Sequence, residues 1–174
     1  QTIAARLPGA VTLPELFRRF GYYTVGIGKV FHQATAFSED SARWDRYVRP
    51  GWPEPVPPPS GPTHLLRWGP VDVGDEAMSD HGGVTEAAAF LAQPQTRPFF
   101  LAVGLYRPHY PWHVPRKYFD MFSPAQVTLP EVLAGDLDDV PQAGVALAEP
   151  DGNFGHDAVV DGRSWAEGVR AHLA

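Results

Sequence analysis

The chain contains no cysteine, and this absence removes three kinds of chemistry. A disulfide framework, a thiolate metal site and a cysteine nucleophile are all excluded for these residues. No apolar run approaches the roughly 18 residues that a membrane-spanning helix needs, so we predict no membrane partner. Residues 1–6 lack the apolar segment of a signal peptide. Because the chain does not begin with methionine, we expect it to be an internal piece of a longer protein.

Basic residues are too few to favour an anionic polymer as the partner. The 14 Lys and Arg residues stand against 20 Asp and Glu residues, which gives a net charge of −6 and a pI near 5.6. The overall field would therefore repel nucleic acid and anionic membrane surfaces. We predict that neither is a partner, and that an anionic substrate would need a local basic pocket.

Three motifs that carry nucleotide or hydrolase chemistry are incomplete. Gly26 and Gly28 have the first spacing of a dinucleotide fingerprint, but Phe31 stands where the third glycine belongs. Lys29 follows a glycine as in a P-loop, yet the upstream glycine and the following Ser or Thr are missing. No Gly-x-Ser-x-Gly elbow is present, so a serine hydrolase reading has no nucleophile.

Two histidines have the spacing of zinc ligands without the backbone that this spacing requires. His109 and His113 are four residues apart, which places two side chains on one face of a helix. Pro111 lies between them and disfavours that helix. We therefore predict no metal site from this pair.

Length and proline content predict one loop-rich domain over residues 1–174. A chain of 174 residues can build one core and is short for two. Its 19 prolines are roughly twice the usual share, and their density predicts a Pro-rich loop excursion over about 37–70. Near the N-terminus, Thr12, Pro14 and Glu15 have the pattern of a capping box. They predict a helix that ends near Gly21 and leads into a strand, as in an α/β unit.

A lysine and a histidine follow the first predicted strand. The apolar run over 22–27 leads into Gly28, Lys29 and, three residues later, His32. Open α/β sheets hold their ligands at the carboxyl ends of their strands. Lys29 would supply a fixed positive charge there and His32 a titratable one, which suits a tetrahedral oxyanion.

A second predicted strand delivers the same kinds of side chain. After a helix predicted over 83–92, residues 99–105 form an unbroken apolar run, typical of a parallel strand buried on both faces. Arg107 and His109 follow it in a proline-containing loop. If the two strands are neighbours, they place Lys29, His32, Arg107 and His109 at one edge of the sheet. The sequence therefore predicts a basic pocket in an acidic protein.

Two blocks of this sequence resemble the type I sulfatases. Residues 12–32 include Gly-Lys-Val-Phe-His, and residues 98–111 read Pro-Phe-Phe-Leu-Ala-Val-Gly-Leu-Tyr-Arg-Pro-His-Tyr-Pro. Both blocks, in this order, are similar to the iduronate-2-sulfatase-like branch. The resemblance implies part of an alkaline-phosphatase-like three-layer α/β sandwich with a mostly parallel central sheet, here loop-rich and incomplete.

The same resemblance implies roles for four residues. Lys29 would bridge the sulfate and the nucleophile, His32 would assist collapse of the sulfated hydrate, and His109 would hold sulfate or protonate the leaving oxygen. Arg107 would bind a substrate carboxylate or sulfate, because its planar guanidinium can donate two parallel hydrogen bonds. The family also implies calcium, a formylglycine nucleophile, and a secreted, periplasmic or lysosomal location.

The residues that would form formylglycine, and the second block that would bind calcium, are missing from this chain. The Cys-x-Pro-Ser-Arg motif that yields formylglycine is missing, and so is the family's second metal-binding block. Asp80-His81-Gly82 imitates that block but precedes the second strand, so we predict that Asp80 caps the following helix. The resemblance thus implies a sulfuric ester hydrolase acting on a sulfated carbohydrate, with no turnover by this segment alone.

Two other functions remain open at this point. The same cations would suit a phosphomonoester or phosphonate hydrolase of the same superfamily. A non-catalytic module could instead bind sulfated glycans through Lys29 and Arg107. The oligomeric state and the identity of the sugar are not predicted.

Overall fold

The computed structural model describes residues 7–30, 42–50, 67–109, 111–148, 159 and 164–174. These residues belong to two compact units, of which the first comprises 1–54 with 75–106 and the second comprises 55–74 with 107–174. His32 and most of the predicted Pro-rich excursion lie outside the described residues. The prediction of a single domain stays a prediction.

The first unit is a parallel α/β layer. With elements numbered in chain order across both units, it contains α1 Leu13–Arg19, β1 Tyr23–Gly28, β2 Arg46–Val48, α2 Ser79–Leu91 and β4 Phe99–Gly104. The three strands form one sheet in the order β2, β1, β4, and both pairings are parallel. Val25 and Ile27 of the middle strand are fully buried, and Ala87 and Phe90 of α2 pack on them. The prediction of a parallel α/β fold is confirmed.

The predicted capping box starts α1. Thr12 is the N-cap, and the carboxylate of Glu15 accepts hydrogen bonds from the Thr12 backbone N–H at 2.8 Å and from its hydroxyl at 2.7 Å. Arg43 pairs with the same carboxylate oxygen at 2.7 Å. The helix start is therefore fixed both locally and by a side chain 28 residues away.

A carboxylate also fixes the position of β2, which falls inside the segment predicted as loop. The Asp45 side chain accepts hydrogen bonds from the Thr24 N–H at 2.8 Å and from its hydroxyl at 3.1 Å. Thr24 is fully buried in β1. This pairing stabilises a strand of three residues, which is too short to leave a periodic sequence pattern.

Helix α2 begins four residues earlier than the predicted start at Gly83, and the predicted capping role of Asp80 is wrong. The N-cap is Met78, so Asp80 lies in the first helical turn. Its Oδ1 instead accepts the backbone N–H of Tyr106 at 2.6 Å. Two consecutive glycines argue against helix locally, but Gly83 is buried where the helix faces Ile27.

Strand β4 is parallel, as predicted, but it is not a central strand among the described residues. It pairs with β1 from Tyr23 opposite Phe99 to Gly28 opposite Gly104, and the described sheet ends there. Phe99 and Val103 are 37% and 40% exposed, and Leu105 just beyond is 53% exposed. Phe99 and Leu101, which share a face of the strand with Val103, nevertheless pack against Phe90 and the core, and Phe100 on the other face stacks on Phe17. The apolar run thus reflects contacts on both faces of a strand that is partly exposed because it lies at the edge of the described sheet.

The second unit is built around a two-stranded parallel sheet. Its elements are β3 Trp68–Val71, β5 Trp112–Pro115, α3 Arg116–Phe119, α4 Gln142–Ala148 and α5 Trp165–Leu173. β3 and β5 pair from Trp68 opposite Trp112 to Val71 opposite Pro115. Trp68, Phe119 and Ala171 form the buried core of this unit. In neither unit does a described helix combine the length and the apolar character that crossing a membrane requires.

Close backbone approach at the ends of β1 and β4 predicts a specific cost for a side chain at Gly28. Gly21 and Gly28 both have left-handed backbones, with φ of +83° and +76°, but only at Gly28 would a Cβ overlap a neighbouring atom, the Gly104 oxygen. Gly21→Ala should lower the free energy of unfolding by about 1 kcal/mol. Gly28→Ala should lower it by at least about 1 kcal/mol more. Equal losses in urea unfolding would contradict this role of the close approach.

The capping carboxylate predicts an acid-sensitive contribution to stability. Hydrogen bonding to the Thr12 backbone, more than to any other group, lowers the pKa of Glu15 from 4.5 to about 2. Its contribution is therefore complete above pH 4.5 and is lost as the pH falls towards about 2. Glu15→Gln keeps an acceptor for the Thr12 N–H but should remove about 1 kcal/mol of this pH-dependent stability. Unfolding in urea across acid pH measures it.

The exposed Glu131 provides the matched control for this experiment. Glu131→Gln removes the same charge without a capping contact, so its stability profile should follow that of the unsubstituted protein. A Glu15→Gln profile that also follows it would contradict the capping role.

Candidate functional site

The turn after β1, which carries Lys29, is bonded to the backbone of β4 and to the side chain of Tyr47 in β2. The Lys29 N–H donates to the carbonyl oxygen of Gly104 at 2.8 Å. The Tyr47 hydroxyl donates to the Gly28 carbonyl at 2.8 Å and accepts the N–H of Val30 at 3.1 Å. Because both neighbouring strands fasten this turn, the base of the lysine side chain has a fixed position.

Lys29 lines a small pocket at the carboxyl ends of the parallel strands. Its ammonium lies 4.6 Å from the ring centroid of Tyr106, within the range of a cation–π contact. Asp80 accepts the backbone N–H of Tyr106 and so fixes the backbone from which that ring extends. The pocket is lined by Gly28, Lys29, Arg49, Pro50, Ser79, Asp80 and Tyr106.

The surroundings of this pocket lower the pKa of Lys29 overall. Burial lowers the pKa of Lys29, the positive charge of Arg49 lowers it further, and the negative charge of Asp80 raises it. Burial and a like charge both disfavour the protonated form. An anion that entered the pocket would oppose both effects, so the arrangement suits a negatively charged ligand.

The second unit presents His109 on a loop that is closed by side chains. Arg107 donates from Nε and Nη2 to the carbonyl oxygen of His113, at 2.9 and 2.6 Å. The indole N–H of Trp112 donates to the carbonyl oxygen of Pro108 at 2.7 Å. These contacts run in opposite directions across the loop and leave His109 exposed between them, whereas His113 is buried.

The predicted site residues therefore have different outcomes. Lys29 lies in a charged pocket of the first unit, and His32 lies outside the described residues. Arg107 and His109 belong to the loop of the second unit, where the guanidinium of Arg107 contacts a backbone carbonyl. Their predicted contacts with substrate stay predictions.

Sequence reasoning did not single out Arg49, and gave Asp80 a different role. Arg49 directly follows β2, whose three residues lie in a segment that reads as loop, so nothing marked the end of a strand there. Asp80 contacts Tyr106 across 26 positions of sequence, a pairing that no local pattern indicates. The one sequence signal for this part of the site was the position of Tyr106, which directly precedes the predicted site residue Arg107.

The described residues do not fit the calcium ion that the family resemblance implies. They contain no group of three or more His, Asp or Glu side chains that could hold a metal. Asp80, the residue that imitates a calcium ligand in sequence, accepts a backbone N–H instead. The chain also has no cysteine from which formylglycine could form.

Parallel strands that end at a basic pocket define an open-sheet α/β protein with its site at the carboxyl edge. Within that class, the family model for sulfatases matches residues 5–151. The chain therefore belongs to the sulfatase family. The prediction made from its two sequence blocks is confirmed.

Curated relatives carry the same family name. The chain is 29% identical over 180 residues to a sulfatase of Formosa agariphila, covering 94% of this chain and 35% of that protein. It is 30% identical over 141 residues to human iduronate 2-sulfatase, covering 71% and 26%. For mouse iduronate 2-sulfatase the identity is 31% over 137 residues, covering 68% and 24%. The chain thus spans about a third or less of the relatives it matches.

The surroundings of Lys29 predict its titration. The chain has two lysines, Lys29 and Lys117, so mass spectrometry after brief acetylation can follow each one separately. Lys29 should become half-reactive at a pH below its ordinary value of 10.5, because burial and Arg49 lower its pKa. Arg49→Gln should raise that midpoint and Asp80→Asn should lower it.

Lys117 is the internal reference for the titration. Its ammonium lies 4.9 Å from the Tyr118 ring centroid, so it shares the cation–π contact but not the pocket. Its midpoint should not respond to either substitution. A Lys29 midpoint that also stays unchanged would contradict the electrostatic coupling.

Proposed function

We propose that the protein containing this chain hydrolyses sulfate esters of a carbohydrate, with sulfated glycosaminoglycans as the substrate class. The observation that carries the proposal is Lys29, a partly desolvated cation at the carboxyl edge of a parallel sheet in a sulfatase-family chain. The similarity to human and mouse iduronate 2-sulfatase supports the choice of substrate class.

In this proposal Lys29 binds the sulfuryl oxygens. A sulfate monoester carries one negative charge on its sulfuryl oxygens, and the leaving oxygen takes up the electron pair of the S–O ester bond as that bond breaks. A fixed ammonium in a partly desolvated pocket stabilises that charge more strongly than it would in water. The turn bonded to Gly104 and the ring of Tyr106 hold Lys29, so little reorganisation is needed when the anion arrives.

The imidazoles of His32 and His109 would handle protons. An imidazole titrates near neutral pH and can therefore accept and donate a proton in one reaction cycle. In the proposal, His109 binds sulfate or protonates the leaving oxygen, and His32 assists release of sulfate. Arg107 closes the loop that carries His109 and remains a candidate for a substrate carboxylate or sulfate.

Calcium and formylglycine take no part in the steps assigned to this chain. Family members use both groups, and the residues described here hold neither. We accordingly expect that the segment alone does not turn over sulfate esters, and that residues beyond it supply the nucleophile. A secreted, periplasmic or lysosomal location follows from the family resemblance and forms part of the proposal.

Replacing Lys29 in the full-length protein tests the function. Hydrolysis of 4-methylumbelliferyl sulfate by Lys29→Met should fall by on the order of 10²-fold or more, because an electrostatic contact to the developing charge is lost. Lys117→Met removes the other lysine of this chain and should leave turnover unchanged. Parallel assays with 4-methylumbelliferyl phosphate distinguish a phosphomonoesterase of the same superfamily.

The outcomes separate the three functions. Turnover of the sulfate ester that depends on Lys29 supports the proposal, and turnover of the phosphate ester alone overturns it in favour of the phosphomonoesterase. A glycan-binding module would hydrolyse neither ester, and His32→Ala would leave its affinity for sulfated glycans unchanged.

A further inference from the structure

We propose that Arg49 is a second cation of the Lys29 pocket and binds the same oxyanion as Lys29. The inference deepens the proposed function, because it adds a specificity residue to the site where the sulfate group would bind. It concerns the recognition of a small tetrahedral oxyanion, a chemistry that can be measured without turnover.

Sheet geometry brings the two cations together. β1 and β2 are parallel neighbours, and the last pair in their register joins Ile27 to Val48. Arg49 is one residue beyond this pair and Lys29 is two residues beyond it. Both side chains therefore leave the sheet at the same edge, and both line the same pocket.

The charge balance of the pocket favours an anion. Among the charged side chains that line it, Arg49 and Lys29 are positive and Asp80 is negative. The Oδ1 of Asp80 already accepts the Tyr106 N–H, so part of its hydrogen-bonding capacity is committed to the backbone. Two cations held at one small pocket repel each other. An oxyanion between them would offset that repulsion and accept charge-assisted hydrogen bonds from both.

The size of the pocket indicates which part of a substrate enters. Its cavity volume is about 10 Å³, which is about enough for one water-sized group, and the pocket is partly open to solvent. A sugar ring is far larger than this, whereas a single sulfuryl oxygen matches it. The guanidinium of Arg49 can offer two parallel N–H donors to such a group, which an ammonium cannot. Arg49 should therefore select for the oxyanion and not for the sugar.

Inorganic sulfate binding to the full-length protein tests the inference. Isothermal titration calorimetry would compare the unsubstituted protein with Arg49→Gln, Arg49→Lys and the control Arg19→Gln, which removes an exposed arginine of α1. Arg49→Gln should weaken sulfate binding by about tenfold to a hundredfold, since a hydrogen bond to a charged group is lost. The sulfate affinity of Arg49→Lys should lie between that of Arg49→Gln and that of the unsubstituted protein. Arg19→Gln should bind sulfate as the unsubstituted protein does.

A thermal melt without sulfate shows whether each variant is folded. If Arg49→Gln does not fold, the charge-conserving Arg49→Lys carries the test, and its sulfate affinity should still fall. Sulfate binding that Arg49→Gln and Arg49→Lys leave unchanged would overturn the inference. Failure of the unsubstituted protein to bind sulfate would overturn it as well.

Turnover measurements keep this inference separate from the proposed function. Sulfate binding that depends on Arg49 in a protein without sulfatase activity would support the inference while the proposed function fails. Sulfatase activity in which Arg49→Gln changes neither KM nor inhibition by inorganic sulfate would overturn the inference alone.

Discussion

The in-register parallel pairing of β1 with β4 is the constraint on which the first unit depends. It extends to Gly28 opposite Gly104. A Cβ on Gly28 would overlap the Gly104 oxygen, and a Cβ on Gly104 would overlap the carbonyl of Lys29 in the turn after β1. This close approach lets the Lys29 N–H bond to the Gly104 carbonyl and places Tyr106 beside the lysine side chain. Two small residues thus determine where the positive charge lies, although neither contributes any chemistry itself.

Both candidate regions rely on side chains that bind backbone atoms. In the first unit Asp80 accepts the Tyr106 N–H and Tyr47 bonds to the turn after β1. In the second unit Arg107 donates to the carbonyl of His113 in β5, and Trp112 donates to the carbonyl of Pro108 in the His109 loop. Such contacts fix a loop without helical or strand structure. In a proline-rich chain, whose loops cannot use regular hydrogen bonding throughout, such contacts supply partners for the backbone groups of those loops.

Elements that leave a local sequence pattern could be predicted, whereas the residues that surround Lys29 in its pocket could not. The box at Thr12, the strand before Lys29 and the strand before Arg107 each leave a pattern within a few residues, and all three exist. The position of Arg49 depends on a three-residue strand fixed by Asp45, 21 residues from its partner Thr24. The early start of α2 likewise depends on tertiary packing of two glycines that oppose helix locally. Only three-dimensional contacts carry this information.

The electrostatics of the Lys29 pocket favour a negatively charged ligand. Desolvation and the charge of Arg49 disfavour the protonated lysine, whereas the charge of Asp80 favours it. An anion beside Lys29 would oppose both unfavourable effects, and the effect would grow with the charge of the anion. In the proposed reaction the leaving oxygen takes the electron pair of the breaking ester bond, so a cation within reach of that oxygen would bind the transition state more tightly than the substrate. The surroundings that lower the pKa of Lys29 are therefore the ones that a bound anion would counteract.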